Sequence, residues 1–294
     1  MEEPERSSIV TSSGLPCVLH TWKAKNPKGV AVVYHGFLAH ARYPTVRYAA
    51  QLLCRNANLT VLAMDLPGHG LSPGTRGYIN DYKDLIQDGM LVAREARKAV
   101  SNGPLFLAGS SLGGAIALSV ANQASTTTTT VGDNNNSLVV NGIILLGPML
   151  AISVAEPLRY VLMGLATILP STKLISSSAS SSEAQYRDVQ KRNECDKDEL
   201  TIKGKLMPAS ASACVELANH IRINASSVQT PFLCMIAEQD VVVNNDGAHE
   251  LMERAPVKDK TLTSYPALHG LLCEPEPLLS QIHKDILDWV QARI

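Results

Sequence analysis

The chain alternates short apolar segments with longer amphipathic ones, and this alternation restricts the fold more than any other feature. Such a pattern is typical of a mostly parallel sheet with helices on both faces. The predicted strands are Val30–Tyr34, Leu59–Met64, Leu105–Ala108, Ile143–Leu146, Phe232–Ile236 and Thr261–Tyr265. The predicted helices are Tyr43–Arg55, Tyr82–Val100, Leu112–Asn122, Gly247–Arg254 and Leu278–Arg293. Ile9–Thr11 and Cys17–Lys23 are expected to form an antiparallel hairpin at the sheet edge.

Two segments interrupt this alternation. Ser125–Ser137 is rich in Thr and then in Asn, has little to bury, and is predicted to be a disordered insertion. From about Ala151 to Val228 no strand pattern is evident, and we interpret this segment as a helical cap inserted above the sheet. An ordinary second subdomain without a lid function would give the same pattern. The expected division is a core of residues 1–150 and 229–294 and a cap of residues 151–228.

The pattern GxSxG, formed by Gly109, Ser111 and Gly113, lies directly between a predicted strand and a predicted helix. In this context the serine occupies a sharp turn that projects its hydroxyl above the sheet. Small residues are needed on both sides because the turn brings the strand and helix backbones close together. GxSxG also occurs by chance in Gly- and Ser-rich loops, so the strand–turn–helix context carries the prediction that Ser111 is a nucleophile.

A nucleophilic serine needs a histidine base, which is itself oriented by a carboxylate. In a sheet of this kind the chain order is Ser, then Asp or Glu, then His, each after a strand. Asp240 follows the fifth predicted strand and is the preferred acid; Glu238 and Asp246 are rivals, although Asp246 is better explained as a helix N-cap. His269 follows the sixth strand and is the candidate base, because the other histidines precede Ser111 or lie in helical or cap segments.

Two backbone N–H groups are required to stabilise the oxyanion that forms on the substrate. Leu112 follows the nucleophile and is expected to supply one of them. The second is expected from Phe37, in the turn His35-Gly36-Phe37 after the first predicted core strand. A His-Gly pair at a strand end is also compatible with a simple tight turn.

Composition excludes several classes of function. The 26 Lys and Arg and 27 Asp and Glu give a formal net charge of −1, which argues against a nucleic-acid-binding surface. The six cysteines lack CxxC spacing and favour reduced thiols over disulfides or a zinc site. No secretory leader is evident, and no uncharged apolar run reaches the roughly 18–20 residues of a spanning helix. We therefore expect a cytoplasmic protein without a bound metal.

Together these motifs resemble the monoacylglycerol lipase branch of the α/β-hydrolases, which has a serine aminopeptidase S33-type domain. This branch also includes lysophospholipase-like enzymes and the plant caffeoylshikimate esterases. The matching pieces span almost the full chain in the family's order: His35-Gly36 with His40, the DxxGHGxS segment Asp65–Ser72, Gly109–Gly114, Asp240 and His269. The resemblance implies an α/β-hydrolase fold with an inserted cap, the triad Ser111, Asp240 and His269, and an oxyanion hole formed by Phe37 and Leu112.

The resemblance also implies a lid helix within Ile152–Leu169 that touches a membrane and admits lipid, so the protein would be peripheral to the membrane. Two positions depart from the family pattern. Phe37 is large where a small residue is usual, and Ser110 replaces a frequent histidine. These departures predict an acyl pocket that differs from that of typical monoacylglycerol lipases.

The predicted activity is hydrolysis of a lipid carboxylic ester, preferentially monoacylglycerol to fatty acid and glycerol, through an acyl-enzyme on Ser111. It requires no metal or cofactor. Ile152, Leu158, Leu162 and Leu165 are the candidate substrate-binding residues, although an apolar stripe is as often plain packing. A lysophospholipase or general carboxylesterase remains open, as do a proline-type aminopeptidase and a non-catalytic ligand-binding protein of this fold. The oligomeric state is left open.

Overall fold

The computed structural model describes residues 3–128, 138–152 and 154–294. These residues form an eight-stranded sheet in the order β1-β2-β4-β3-β5-β6-β7-β8. The strands are β1 Glu5–Val10, β2 Pro16–Trp22, β3 Gly29–Tyr34, β4 Leu59–Met64, β5 Leu105–Ser110, β6 Gly142–Leu146, β7 Phe232–Ala237 and β8 Lys260–Tyr265. β2 pairs antiparallel with both β1 and β4, whereas β3 to β8 run parallel.

Helices cover both faces of the sheet. The core helices are α1 Pro44–Asn56, α2 Tyr82–Ala99, α3 Leu112–Thr128, α8 Asp246–Arg254 and α9 Leu278–Gln291. Apolar side chains of α1 and α9 pack together on one face, and those of α2, α3 and α8 pack on the other. The central strands are buried on both faces, which explains why they read as continuous apolar runs rather than alternating ones.

The structure confirms the mostly parallel sheet, each predicted core strand and helix, and the edge hairpin. One boundary was wrong: α3 extends through Thr128, so Ser125 to Thr128 are helical rather than the start of a disordered insertion. Helix propagation costs far less than initiation, so the end of an established helix tolerates Ser and Thr. The rest of that predicted insertion, residues 129–137, lies outside the described residues.

The segment between β6 and β7 is helical, as predicted. It contains α4 Glu156–Ile168, α5 Ser182–Gln185, α6 Val189–Lys197 and α7 Pro208–Asn224, and a single antiparallel bridge joins Ile175 to Leu206. The last helix packs into the same apolar cluster as α2 and α3. By contrast, α4 buries Leu162 alone among its residues. The division into residues 151–228 and the remaining core stays a prediction. Within the described residues, no helix is both long and apolar enough to cross a membrane.

Asp65, the first residue after β4, links several parts of the core below the elbow. Its buried carboxylate accepts hydrogen bonds from the N–H groups of Ala41 (2.7 Å) and Leu71 (2.9 Å) and from His20 Nε2 (3.2 Å). Burial alone would raise the pKa of Asp65, but these hydrogen bonds outweigh it and lower the pKa to about 2. Asp65 of the DxxGHGxS segment therefore has a structural role.

Replacing Asp65 by Asn should destabilise the protein in a pH-dependent way. A carboxyl whose folded pKa is about 2, against 3.8 for the free group, contributes about 2 kcal/mol to the free energy of unfolding above pH 4. This contribution is lost as the pH falls from about 4 to about 2. The free energies of unfolding of wild type and Asp65→Asn, measured by urea titration, should differ at pH 7 and converge as the pH falls from about 4 to about 2. Asp288→Asn, at an exposed ion pair on α9, is the control; an equal loss in both variants would contradict the account.

Candidate active site

Ser111 lies in the turn between β5 and α3, with its backbone in the left-handed region at φ 57°. A Cβ on Gly109 would lie 2.1 Å from the carbonyl oxygen of Gly113, and one on Gly113 would lie 2.0 Å from that of Tyr34. The turn is tied to the next strand, because the Ser111 N–H donates to the Leu146 carbonyl at 3.1 Å. The local geometry is the strand–turn–helix that the GxSxG pattern predicted.

Asp240 and His269 form a buried pair at the ends of β7 and β8. His269 Nδ1 and Asp240 Oδ2 are 2.7 Å apart, and the two side chains are 5% and 0% exposed. The other carboxylate oxygen, Oδ1, accepts the N–H groups of Val242 (2.8 Å) and Val243 (3.0 Å), which fixes its orientation. Because Nδ1 is directed at the carboxylate, Nε2 is the ring nitrogen left free to act as a base.

The two rival acids lie elsewhere. Glu238 is exposed and accepts a hydrogen bond from Ser264 Oγ at 3.2 Å. Asp246 is the first residue of α8 and not its N-cap, which is Asn245; that detail of the sequence interpretation was wrong by one residue. The structure therefore brings Asp240, rather than either rival, to His269.

The His35-Gly36-Phe37 turn lies against the elbow. A Cβ on Gly36 would be 3.3 Å from the Ser110 carbonyl oxygen and 3.4 Å from Ser111 Cβ. The two predicted oxyanion donors therefore flank the nucleophile: Leu112 begins α3, and Phe37 ends the turn. Their role in binding an oxyanion stays a prediction.

Two buried histidines support this turn. His35 Nε2 accepts the Leu66 N–H at 3.0 Å, and the His35 ring lies 5.3 Å from the His69 ring, which is 6.0 Å from Phe37. Burial lowers the pKa of His35 to about 4. Burial, together with the nearby His35, lowers the pKa of His69 to about 3. Both rings are therefore uncharged at neutral pH and add no positive charge beneath the site.

Two cavities meet at Ser111. The larger, of about 830 Å³, is lined mostly by apolar side chains of α4 and α7 and of the loops after β6 and β7. The smaller, of about 50 Å³, also borders His269 and is lined by polar groups of the cap, including Gln185, Thr201 and Lys203. Phe37, Ala179 and Val242 border both cavities. Ser111 thus lies between an apolar space and a polar one.

The predicted substrate-binding residues Ile152, Leu158, Leu162 and Leu165 all lie on the wall of the larger cavity. Other parts of that wall were not predicted from the sequence, chiefly Met149, Val215 and the apolar run Val241, Val242 and Val243. The run after Asp240 was a usable signal, because apolar residues that follow a catalytic acid at a strand end lie next to the site. In the part of the chain that the structure describes, no His, Cys, Asp and Glu side chains cluster as metal ligands.

Known proteins resemble this chain over most of its length. A protein-family model described as "Serine aminopeptidase, S33" matches residues 25–276. Monoglyceride lipase of Rattus norvegicus is 29% identical over 300 residues, which covers 97% of this chain and 90% of that protein. A phospholipase of Bacillus subtilis is 27% identical over 265 residues, which covers 87% and 93%.

Among solved structures, a soluble variant of monoglyceride lipase from Saccharomyces cerevisiae, in complex with a substrate analog, superimposes with a TM-score of 0.80 at 19% identity. The alignment covers 100% of this chain and 96% of that one. The parallel sheet, the elbow and this likeness define the protein as an α/β-hydrolase. Within that class, the match over residues 25–276 shows that the chain belongs to the serine aminopeptidase S33 family.

Proposed function

We propose that the protein is a serine hydrolase that cleaves carboxylic esters of single-chain lipids, with monoacylglycerol as the preferred substrate. The observation that carries this proposal is the position of Ser111 between a large apolar cavity and a small polar one, beside the buried Asp240–His269 pair. The similarity to monoglyceride lipases over nearly the full chain supports the same substrate class.

In the proposed reaction, His269 Nε2 takes the proton of the Ser111 hydroxyl as its oxygen attacks the ester carbonyl. The N–H groups of Phe37 and Leu112 stabilise the oxyanion of the tetrahedral intermediate, each contributing about 3 kcal/mol. Protonated His269 then donates its proton to the departing alcohol, and the acyl group stays on Ser111. Water, activated by the same imidazole, releases the fatty acid and restores the serine.

The two cavities suggest how a substrate would be oriented. An acyl chain fits the apolar wall of the larger cavity, because each methylene buried there contributes roughly 0.8 kcal/mol. The leaving alcohol fits the smaller cavity, whose hydroxyl, amide and amine groups can hydrogen-bond to it and whose size favours a small alcohol such as glycerol.

Residues of the cavity walls and of the cap bear on two alternative activities. A lysophospholipase is the second candidate, because Lys203 lies on the polar wall and a phospholipase is among the relatives. An aminopeptidase would need a free carboxylate to hold a substrate amine. Among the acidic residues of the cap, Glu194 pairs with Arg47 and Asp198 with His40, whereas Asp196 borders the smaller cavity and makes an aminopeptidase the third candidate.

We further propose that α4 contacts a lipid surface while substrate enters. Leu158, Leu162 and Leu165 line the cavity on one side of this helix. Tyr160, Met163 and Ile168 of this helix do not lie on the cavity wall and are 68%, 46% and 76% exposed. A short helix that is apolar on both sides and keeps one side uncovered fits the interface of a membrane better than water.

Removal of the nucleophile tests the reaction itself. Ser111→Ala should lower kcat for a medium-chain monoacylglycerol by a factor on the order of 10⁴ or more, because the remaining groups cannot form the acyl-enzyme. The measurement is initial-rate kinetics on the purified protein. Ser119→Ala, which removes the hydroxyl of a serine within α3, is the control and should keep the wild-type rate. Turnover by Ser111→Ala at the wild-type rate would refute the proposal.

Acyl-chain selectivity should depend on the cavity wall. For dissolved esters of increasing chain length, kcat/KM should rise by up to about fourfold per methylene, the equivalent of 0.8 kcal/mol. Leu158→Ser should flatten this dependence. Ile223→Ser, at a comparably exposed apolar residue of α7 outside the cavity, should leave it unchanged. A wild-type rate that does not vary with chain length would contradict the lipid assignment.

Membrane contact should depend on the outward side of α4. A double variant, Met163→Glu and Ile168→Glu, should reduce cosedimentation with phosphatidylcholine vesicles at least fivefold, because it places two carboxylates at the proposed interface. Ile223→Glu is the matched exposed apolar-to-acid control. Equal vesicle binding by wild type, the double variant and the control would show that this helix makes no such contact.

A further inference from the structure

Residues 185–187 of the cap touch the loop that carries His269. The Gly270 N–H donates to the carbonyl oxygen of Gln185 at 2.8 Å. Tyr186, 1% exposed, packs against the same position, because a Cβ on Gly270 would be 2.2 Å from its ring. The chain around the candidate base is therefore packed against the cap and not only against the core.

Arg187 extends this contact to both loops of the Asp240–His269 pair. Its Nη2 donates to Gln239 Oε1 at 2.9 Å and to the Pro266 carbonyl at 3.1 Å. Gln239 immediately precedes Asp240, and Pro266 lies three residues before His269. One guanidinium group thus bridges the ends of β7 and β8 from above, which a planar group with several N–H donors in fixed directions can do.

The carboxylate of Glu274 stabilises this position of Arg187 electrostatically. Its side chain is 1% exposed, and Oε1 accepts the Leu268 N–H at 2.7 Å, one residue before His269. In the described structure Oε2 has no hydrogen-bond partner, and Arg187 Nε lies 3.6 Å from it. A buried carboxylate is unfavourable without a compensating charge, so the guanidinium and Glu274 stabilise the same loop together.

We infer that Arg187 is a positioning residue: from the cap, it holds the Asp240 and His269 loops at the separation that keeps His269 Nδ1 and Asp240 Oδ2 in hydrogen-bond contact. The core alone supplies a neighbouring link, from the Gln239 N–H to the Ala267 carbonyl at 3.1 Å. Arg187 adds the side-chain bridge on the solvent side. This inference rests on the proposed function of Ser111, Asp240 and His269.

The test compares Arg187→Met and Arg187→Lys with Arg254→Met. Arg254 is a matched control because it is similarly exposed and also bonds a carboxylate, Glu250, and a backbone carbonyl, that of Arg222. Arg187→Met should lower kcat by about 10- to 100-fold, since small displacements of catalytic groups have effects of this size, and should change KM less than twofold. The kcat of Arg187→Lys should lie between those of Arg187→Met and wild type. An ammonium can pair with Glu274, but it cannot replace the directed N–H donors of the planar guanidinium.

A second readout does not depend on turnover. The proton on His269 Nδ1 should give a far-downfield proton NMR signal in the wild type, assigned by its loss in Asp240→Asn. It should broaden or disappear in Arg187→Met and persist in Arg254→Met. If the wild-type protein hydrolyses no ester, the proposed function fails while this signal still reports whether Arg187 holds the pair.

Two results would overturn the inference. One is a kcat of Arg187→Met equal to that of Arg254→Met. The other is a lowered kcat with the His269 signal intact, which would give Arg187 another role. If Arg187→Met does not fold, as judged by its thermal midpoint, Gln239→Leu carries the same test, because Gln239 is exposed and the substitution removes only one partner of the bridge.

Discussion

The fold of the site depends on one constraint, the close approach of three backbone segments at the elbow. Gly109, Gly113 and the end of β3 lie so near one another that a single Cβ would enter the van der Waals radius of a neighbouring carbonyl. This approach forces Ser111 into the left-handed region, an arrangement that costs on the order of 1–3 kcal/mol and persists only where the surroundings impose it. The surrounding strands are almost completely buried, and their packing supplies that stability.

The cap has two different relations to the core. Its second half is fastened by specific contacts: His40 Nε2 lies 2.8 Å from Asp198 Oδ2, the Ile202 N–H donates to the Leu38 carbonyl at 2.9 Å, and Arg47 pairs with Glu194. In contrast, α4 exposes most of its side chains and covers the larger cavity. Of the two helices that line the larger cavity, α4 is thus loosely packed and α7 is buried against the core, while the part of the cap that borders His269 is held in place.

Sequence patterns predicted the sheet and its helices because burial imposes a period on each element. Leu59–Met64 is apolar except for Thr60 because both its faces are covered, and Leu278–Gln291 shows one apolar stripe because one face is covered. The role suggested for Ser111 came from the GxSxG pattern between a strand and a helix, and those for Asp240 and His269 came from chain order after the strands. The structure brings Asp240 and His269 together as that order suggested.

Other parts of the site had no such signal. The hydrogen bonds of Arg187 reach residues that are 52 and 79 positions away in the chain. Contacts of this kind produce no periodic pattern in the sequence from which they could be predicted. Likewise, nothing in the Ser- and Thr-rich composition marked the end of α3, because helix continuation depends on the turns before it more than on the residues added.

The central claim is that an imidazole oriented by Asp240 activates Ser111 to carry the acyl group. Its most direct test is acid quenching of the protein during turnover of a long-chain ester, followed by peptide mass spectrometry. The account predicts an acyl mass on the peptide that contains Ser111, which accumulates in wild type and is absent from His269→Gln. Ester hydrolysis with the acyl group on another residue, or with no covalent adduct under conditions in which deacylation is slowed, would contradict it.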